Sequence, residues 1–259
     1  MDAQRVEKLY RIARDAYVIQ DYEHAIVAFK SLLTYDFKHL HAHYYLALSY
    51  QKSDAFELAL EHLLTAVKFG FDEVGILKSI AFSYQKMGMY KESIFNIQKN
   101  LKIQKDDHES YALLAENYIL LSEFNHAIQS LNHAVLLAPQ EVSYYLSLAK
   151  LHKELKEFDQ ALLALKKALA LQPDRWESCF IAGNLYTRMK APQEAIKFFT
   201  KAIDINPKHA LSYNNLAIVY YDIGKSDDAY EVMKEALVLE SENRNFQKNL
   251  EKIEAKLNA

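Results

Sequence analysis

Small residues return every 34 positions along this chain, with no insertion to break the count. Ala13, Ala47, Ala81, Ala115, Ala149, Gly183 and Ala217 form one series; twelve residues on, Ala25, Ala59, Ser93, Ala127, Ala161, Ala195 and Ala229 form a second. A register this strict restricts the fold to stacked copies of one supersecondary unit, each burying its apolar face on its neighbours. Length then constrains little. At 259 residues a single compact core is near its upper limit, but a stack grows by neighbour contacts and needs no shared centre.

First positions at Val6, Leu40, Val74, His108, Val142, Trp176 and Ala210 divide the chain into units 6–39, 40–73, 74–107, 108–141, 142–175, 176–209 and 210–243. Within a unit the fourth, seventh, eighth and eleventh columns share one helical face, as Tyr111, Leu114, Ala115 and Tyr118 illustrate. A second helix carries Phe124, Ala127, Ile128, Leu131, Ala134 and Val135, its alanines allowing close backbone approach. Gly88 and Gly224 fall at the corner between the two helices, and Pro139, Pro173 and Pro207 end the second helix in units four to six. The spacing predicts an all-α chain with one repeat domain over 6–243. Residues 244–259, with Phe246, Leu250, Ile253 and Leu257 on one stripe, are expected to form an amphipathic capping helix.

Charge and motifs exclude more than they assign. Lys+Arg 31 against Asp+Glu 34 gives a net charge of -3, which does not point to nucleic acid or an anionic membrane as partner. Cys179 is the single cysteine, so no intramolecular disulfide is possible. No apolar run has the length of a signal peptide or a membrane helix, so the expectation is a cytoplasmic protein without membrane insertion. His39, His41 and His43 are spaced by two, which on a helix turns successive side chains about 200° apart and away from a shared metal. Gly224-Lys225-Ser226 lacks the earlier glycine of a phosphate-binding loop, since Val219 stands there. Asp106-Asp107 and Asp227-Asp228 sit at corners as solvated or helix-start carboxylates. No catalytic residue, cofactor or metal is expected, and the outside alternative is an enzyme using Cys179 as nucleophile.

Tyr145, Leu148, Ala149, Ala161, Leu165, Ala168 and Pro173 carry a resemblance to the tetratricopeptide repeat pattern, closest in units four to seven. Unit six departs at Cys179, Ala182 and Pro192; units one to three carry Phe37, Phe71 and Lys105 in place of the terminal proline. Leu32 and Asn100 replace a small residue of the second helix in units one and three. The resemblance implies a right-handed α-solenoid of seven helix-turn-helix units, whose first helices line a concave groove. It also places the second, fifth, ninth, twelfth and thirteenth columns on that groove. In this chain those columns hold Tyr10, Arg14 and Tyr17, then His41, Tyr44, Gln51 and Lys52, then Lys78, Phe82, Gln85 and Lys86. Units six and seven add Asn184 and Asn214, whose amides suit an extended peptide backbone. Some relatives grip a free C-terminal carboxylate with a lysine and asparagine four apart; none of the pairs from Tyr10/Arg14 to Asn214/Ile218 matches.

The function expected is that of a non-catalytic scaffold or adaptor that binds protein or peptide partners in the groove. Aromatic rings beside cations suit an acidic segment with apolar anchors. The alternatives are a chaperone for a secreted or aggregation-prone partner, or a self-assembling scaffold forming a homo-oligomer.

Overall fold

The computed structural model describes residues 2–72 and 75–258, and Val74, the expected first position of unit three, lies outside them. Among the described residues there are fifteen helices and no strand. They fall into two compact units, Met1–Leu137 and Ala138–Ala259. The first holds α1 (Asp2–Val18), α2 (Tyr22–Tyr35), α3 (Leu40–Lys52), α4 (Phe56–Lys68), α5 (Ile76–Lys86), α6 (Tyr90–Ile103), α7 (His108–Leu120) and α8 (Phe124–Leu137). The second holds α9 (Val142–Glu154), α10 (Phe158–Leu171), α11 (Trp176–Arg188), α12 (Pro192–Ile205), α13 (Ala210–Asp222), α14 (Ser226–Leu239) and α15 (Arg244–Leu257).

Consecutive helices pair as hairpins. In the first unit α1 packs on α2, α3 on α4, α5 on α6 and α7 on α8, and each second helix also meets the next first helix. First helices touch one another along the stack, α1 to α3, α3 to α5 and α5 to α7. The second unit repeats this with α9, α11 and α13 as first helices, and α15 takes the place of a further first helix, touching both α14 and α13. Phe246 and Ile253 of α15 are buried in one cluster with Ala217, Ala229, Met233 and Ala236.

The small columns explain the closeness of each hairpin. Ala13, Ala47, Ala81, Ala115 and Ala217 on first helices, and Ala25, Ala59, Ala127, Ala161, Ala195 and Ala229 on second helices, are all fully buried. Ser93, the polar member of the series, satisfies its hydroxyl by donating to the Ala81 carbonyl at 2.7 Å. Gly183 is smaller for a stated reason: a Cβ there would lie 2.5 Å from the ring of Phe199. Asn100, in a column otherwise held mainly by alanine, is also buried. Its amide donates to Asp107 and to the Ser110 hydroxyl, both at 3.0 Å, so α6 is tied to α7 by a satisfied polar contact.

Every hairpin corner has the same backbone. One residue is left-handed at Gln20, Asp54, Gly88, Ser122, Lys156, Lys190 and Gly224, with φ between 56° and 82°. The next N–H reaches back to the eleventh-column carbonyl, as in Asp21 to Ala16 at 2.9 Å, Glu123 to Tyr118 at 2.8 Å and Lys225 to Tyr220 at 2.9 Å. This six-to-one bond closes the helix end on its own carbonyl. Second helices stop at Leu137, Leu171 and Ile205, two residues before Pro139, Pro173 and Pro207, because the residue before proline is pushed away from helical geometry.

Candidate functional site

In the first unit Arg14 packs against Tyr10, another of the expected groove residues, and against Tyr45. Its guanidinium lies over the ring of Tyr45, 4.2 Å from the centroid, and donates to the Tyr10 hydroxyl at 3.3 Å. The hydrogen bond with Tyr10 is the main cause that holds its pKa above the ordinary arginine value, against the opposing effect of burial. Its Nε is buried with no hydrogen-bond partner. Among the described residues no carboxylate pairs with it. A cation seated on aromatic faces and left without a counter-charge has electrostatic capacity to spare for an anion.

Aromatic rings surround this cation. Tyr17 packs edge-on against Tyr45 at 5.4 Å and Tyr22 at 5.8 Å, and burial raises its hydroxyl's pKa. Tyr44 stacks on Phe71 at 5.0 Å, and His41 meets the same ring edge-on at 5.5 Å. Further along, Phe82 meets Phe56 edge-on, and the Lys86 ammonium stands 5.3 Å over the Phe82 ring. Lys52 is exposed at the end of α3.

Lys78 differs from the other cations. Its ammonium lies 2.6 Å from Glu109 and 3.3 Å from Asp107. Burial would lower its pKa, but the hydrogen bond to Glu109 and the charge of Asp107 hold it above the ordinary lysine value. Asp107 is in turn kept below the usual carboxylate range, despite burial, by the Ser110 hydroxyl and N–H and by Lys78. The charge of Lys78 is thus spent on joining α5 to α7. The glutamines of the twelfth column act similarly: Gln51 donates to the Ser79 carbonyl and the Ser83 hydroxyl at 2.7 and 2.8 Å, and Gln85 to Glu116 at 3.2 Å.

In the second unit Asn184 and Asn214 belong to a chain of amides. Asn249 donates to Asn214 at 2.9 Å, Asn214 to Asn215 at 2.9 Å, and Asn215 to Asn184 at 2.8 Å. Asn214 is buried, and the member whose N–H₂ donates to no other amide of the chain is Asn184. Tyr45 and Asn215 were not among the sequence candidates. Both occupy the sixth column, and only the packing of neighbouring first helices shows that Tyr45 lies under Arg14 and that Asn215 bonds Asn184.

The remaining chemical candidates have structural partners. His39 caps α3, its Nδ1 accepting from the Ala42 N–H at 3.1 Å. His43 is buried; its Nε2–H donates to the Phe37 carbonyl at 2.9 Å, and one proton lies between its Nδ1 and that of His62, 2.9 Å apart. Among the described residues no group of three or more His, Cys, Asp or Glu has the arrangement to hold a metal ion. Cys179 is buried, and burial raises its thiol's pKa, the opposite of what a thiolate nucleophile needs. No helix among the described residues is long and apolar enough to cross a membrane.

Comparison with known proteins agrees with this architecture. Residues 108–141, 146–210 and 198–231 each match a family model described as tetratricopeptide repeat. No curated protein matches the sequence. Among solved structures, a tetratricopeptide repeat protein from Parabacteroides merdae ATCC 43184 is similar at TM-score 0.75 and 17% identity, covering 96% of this chain and 99% of that one. MamA is similar at TM-score 0.59 and 26% identity, over 64% of this chain and 97% of its own. YrrB, described as a TPR protein with an unusual peptide-binding site, is similar at TM-score 0.57 and 20% identity, over 71% of this chain and 95% of its own. Seven helix hairpins in one 34-residue register, with three repeat models matching within residues 108–231, identify the chain as a member of the tetratricopeptide repeat family, whose members generally mediate protein–protein interaction.

Proposed function

We propose that this protein is a non-catalytic adaptor that holds an acidic partner segment with apolar anchors on the first helices of its N-terminal unit. The observation that carries the reading is Arg14, a half-buried guanidinium on Tyr45 with no carboxylate beside it among the described residues. A partner carboxylate would find there a charge-assisted donor that needs little reorganisation. Tyr17, Tyr44 and His41 would supply rigid apolar contact at low entropic cost. Lys52 and Lys86, both exposed, would steer the same acidic segment. The peptide-binding site named for YrrB lends support to a partner-binding role.

The direct test is affinity capture from the native organism with the wild-type chain and an Arg14→Gln/Lys52→Glu double variant side by side. The variant should retain its helical content and melting midpoint while losing specific partners by about tenfold, the order of one charge-assisted contact. Capture unchanged by the double substitution would place the contact elsewhere. Lys78→Glu is unsuited to this purpose, because it would set a third carboxylate beside Asp107 and Glu109 and loosen α5 from α7.

A further inference from the structure

An open cleft in the second unit has a chemistry of its own. It is about 380 Å³ in volume, and its lining includes Lys150, Lys153, Trp176, Phe180, Asn184 and His209 from α9, α11 and the residue that caps α13. That is room for one large side chain with flanking backbone. The wall is aromatic: Trp176 and His209 have ring centroids 4.2 Å apart, and Phe180 meets His209 edge-on at 4.8 Å. Ser212 fixes the His209 ring through a 2.8 Å contact to Nδ1, and burial holds that histidine's pKa below its usual value.

The polar rim is unevenly satisfied. Glu154 pairs with Lys153 at 3.0 Å and Glu177 with Arg175 at 3.4 Å, so both carboxylates of the cleft are already answered. Lys150 is exposed and has no such partner among the described residues. The same cleft holds the end of the amide chain. Because Asn215 donates to the Asn184 carbonyl, Asn184 is held with its N–H₂ unspent, and the aligned amides behind it strengthen that donor. An apolar wall, a lone cation and an oriented amide donor together match a carboxylate joined closely to an aromatic group.

We propose that this cleft binds an internal acidic segment of a partner protein, seating a phenylalanine-type side chain against Trp176, Phe180 and His209 and its neighbouring carboxylate on Lys150 and the Asn184 amide. The site shares no residue with the Arg14 surface and stands or falls independently of it.

Trp176 is the chain's single tryptophan and reports on the cleft directly. The probe is a blocked, tryptophan-free heptapeptide with one phenylalanine followed by two glutamates, titrated against the full chain while Trp176 emission is followed. The expected result is a saturable change, with affinity about tenfold weaker when both glutamates become glutamine. Lys150→Glu should weaken binding similarly, as should Asn184→Asp, which keeps an acceptor for Asn215 while replacing the donor by a charge. Arg14→Gln should leave the titration unchanged. If Asn184→Asp lowers the melting midpoint, exposed Lys150→Glu alone decides. The proposal is overturned by no saturable change, by equal affinity for the glutamine peptide, or by binding indifferent to Lys150→Glu. Binding only of the free-acid form would also overturn it, since the carboxylate recognised would then be a chain terminus.

Discussion

Gly183 shows how one absent methyl group sets a packing contact. Ala occupies its column in the six other units, yet at Gly183 the Phe199 ring fills the space where a Cβ would lie, at 2.5 Å. Two effects compete in Gly183→Ala. Helix propensity gains about 1 kcal/mol, whereas overpacking a rigid ring costs about 1–3 kcal/mol. The ring is fully buried and cannot swing into solvent, so the cost should win. Gly183→Ala should therefore lower the urea midpoint, and adding Phe199→Leu should recover part of the loss. The double variant restores the Ala–Leu pair that units two, four and five already use at these columns. A single variant as stable as wild type would mean the Phe199 ring is free to move.

At the scale of helices and corners, the chain reveals a conformation that its residue types conceal. Gly88 and Gly224 mark two corners in the sequence, but the same left-handed backbone recurs at Gln20, Asp54, Ser122, Lys156 and Lys190. Stacking enforces it, since each corner must return the chain at the same angle whatever residue stands there. For an L-residue with a Cβ this conformation costs about 1–2 kcal/mol, partly offset by the greater unfolded-state freedom of glycine. Lys156→Gly and Lys190→Gly should each raise stability by about 0.5–1 kcal/mol, read as a higher urea midpoint at unchanged slope. Gly88→Ala should lose a similar amount although no atom lies within 4 Å of the added Cβ, because the penalty is in the backbone. Equal midpoints across the set would show that the corners are unstrained.

Across the whole molecule, the helix hairpins were legible in the sequence and the binding chemistry was not, for one physical reason. Packing columns repeat, so seven copies of Ala or Gly state the fold redundantly. A site uses columns that do not repeat, and its charges are settled by partners on other helices: Lys78 reads as a free cation until Asp107 and Glu109 are seen beside it. Asn184 and Asn214 read as equivalent amides until the direction of their hydrogen bonds separates them. The histidines follow the same logic, and they govern how the molecule responds to acid. Burial lowers the pKa of His39, His62 and His209, with His43 adding to the effect at His62. Each therefore binds its proton more readily in the unfolded chain than in the folded one, so stability is complete above about pH 6.5, the unfolded histidine value. It is lost progressively as pH falls below that value towards the lowered folded ones. His24 acts in the opposite sense through its hydrogen bond to Asp21, but that pair is exposed and screened by solvent. The melting midpoint followed by circular dichroism should fall between pH 7.5 and 5.5. His62→Asn, which can keep a donor facing His43, should flatten part of that slope. A midpoint that rises or holds level across the same interval would show that these three rings are hydrated in the folded chain.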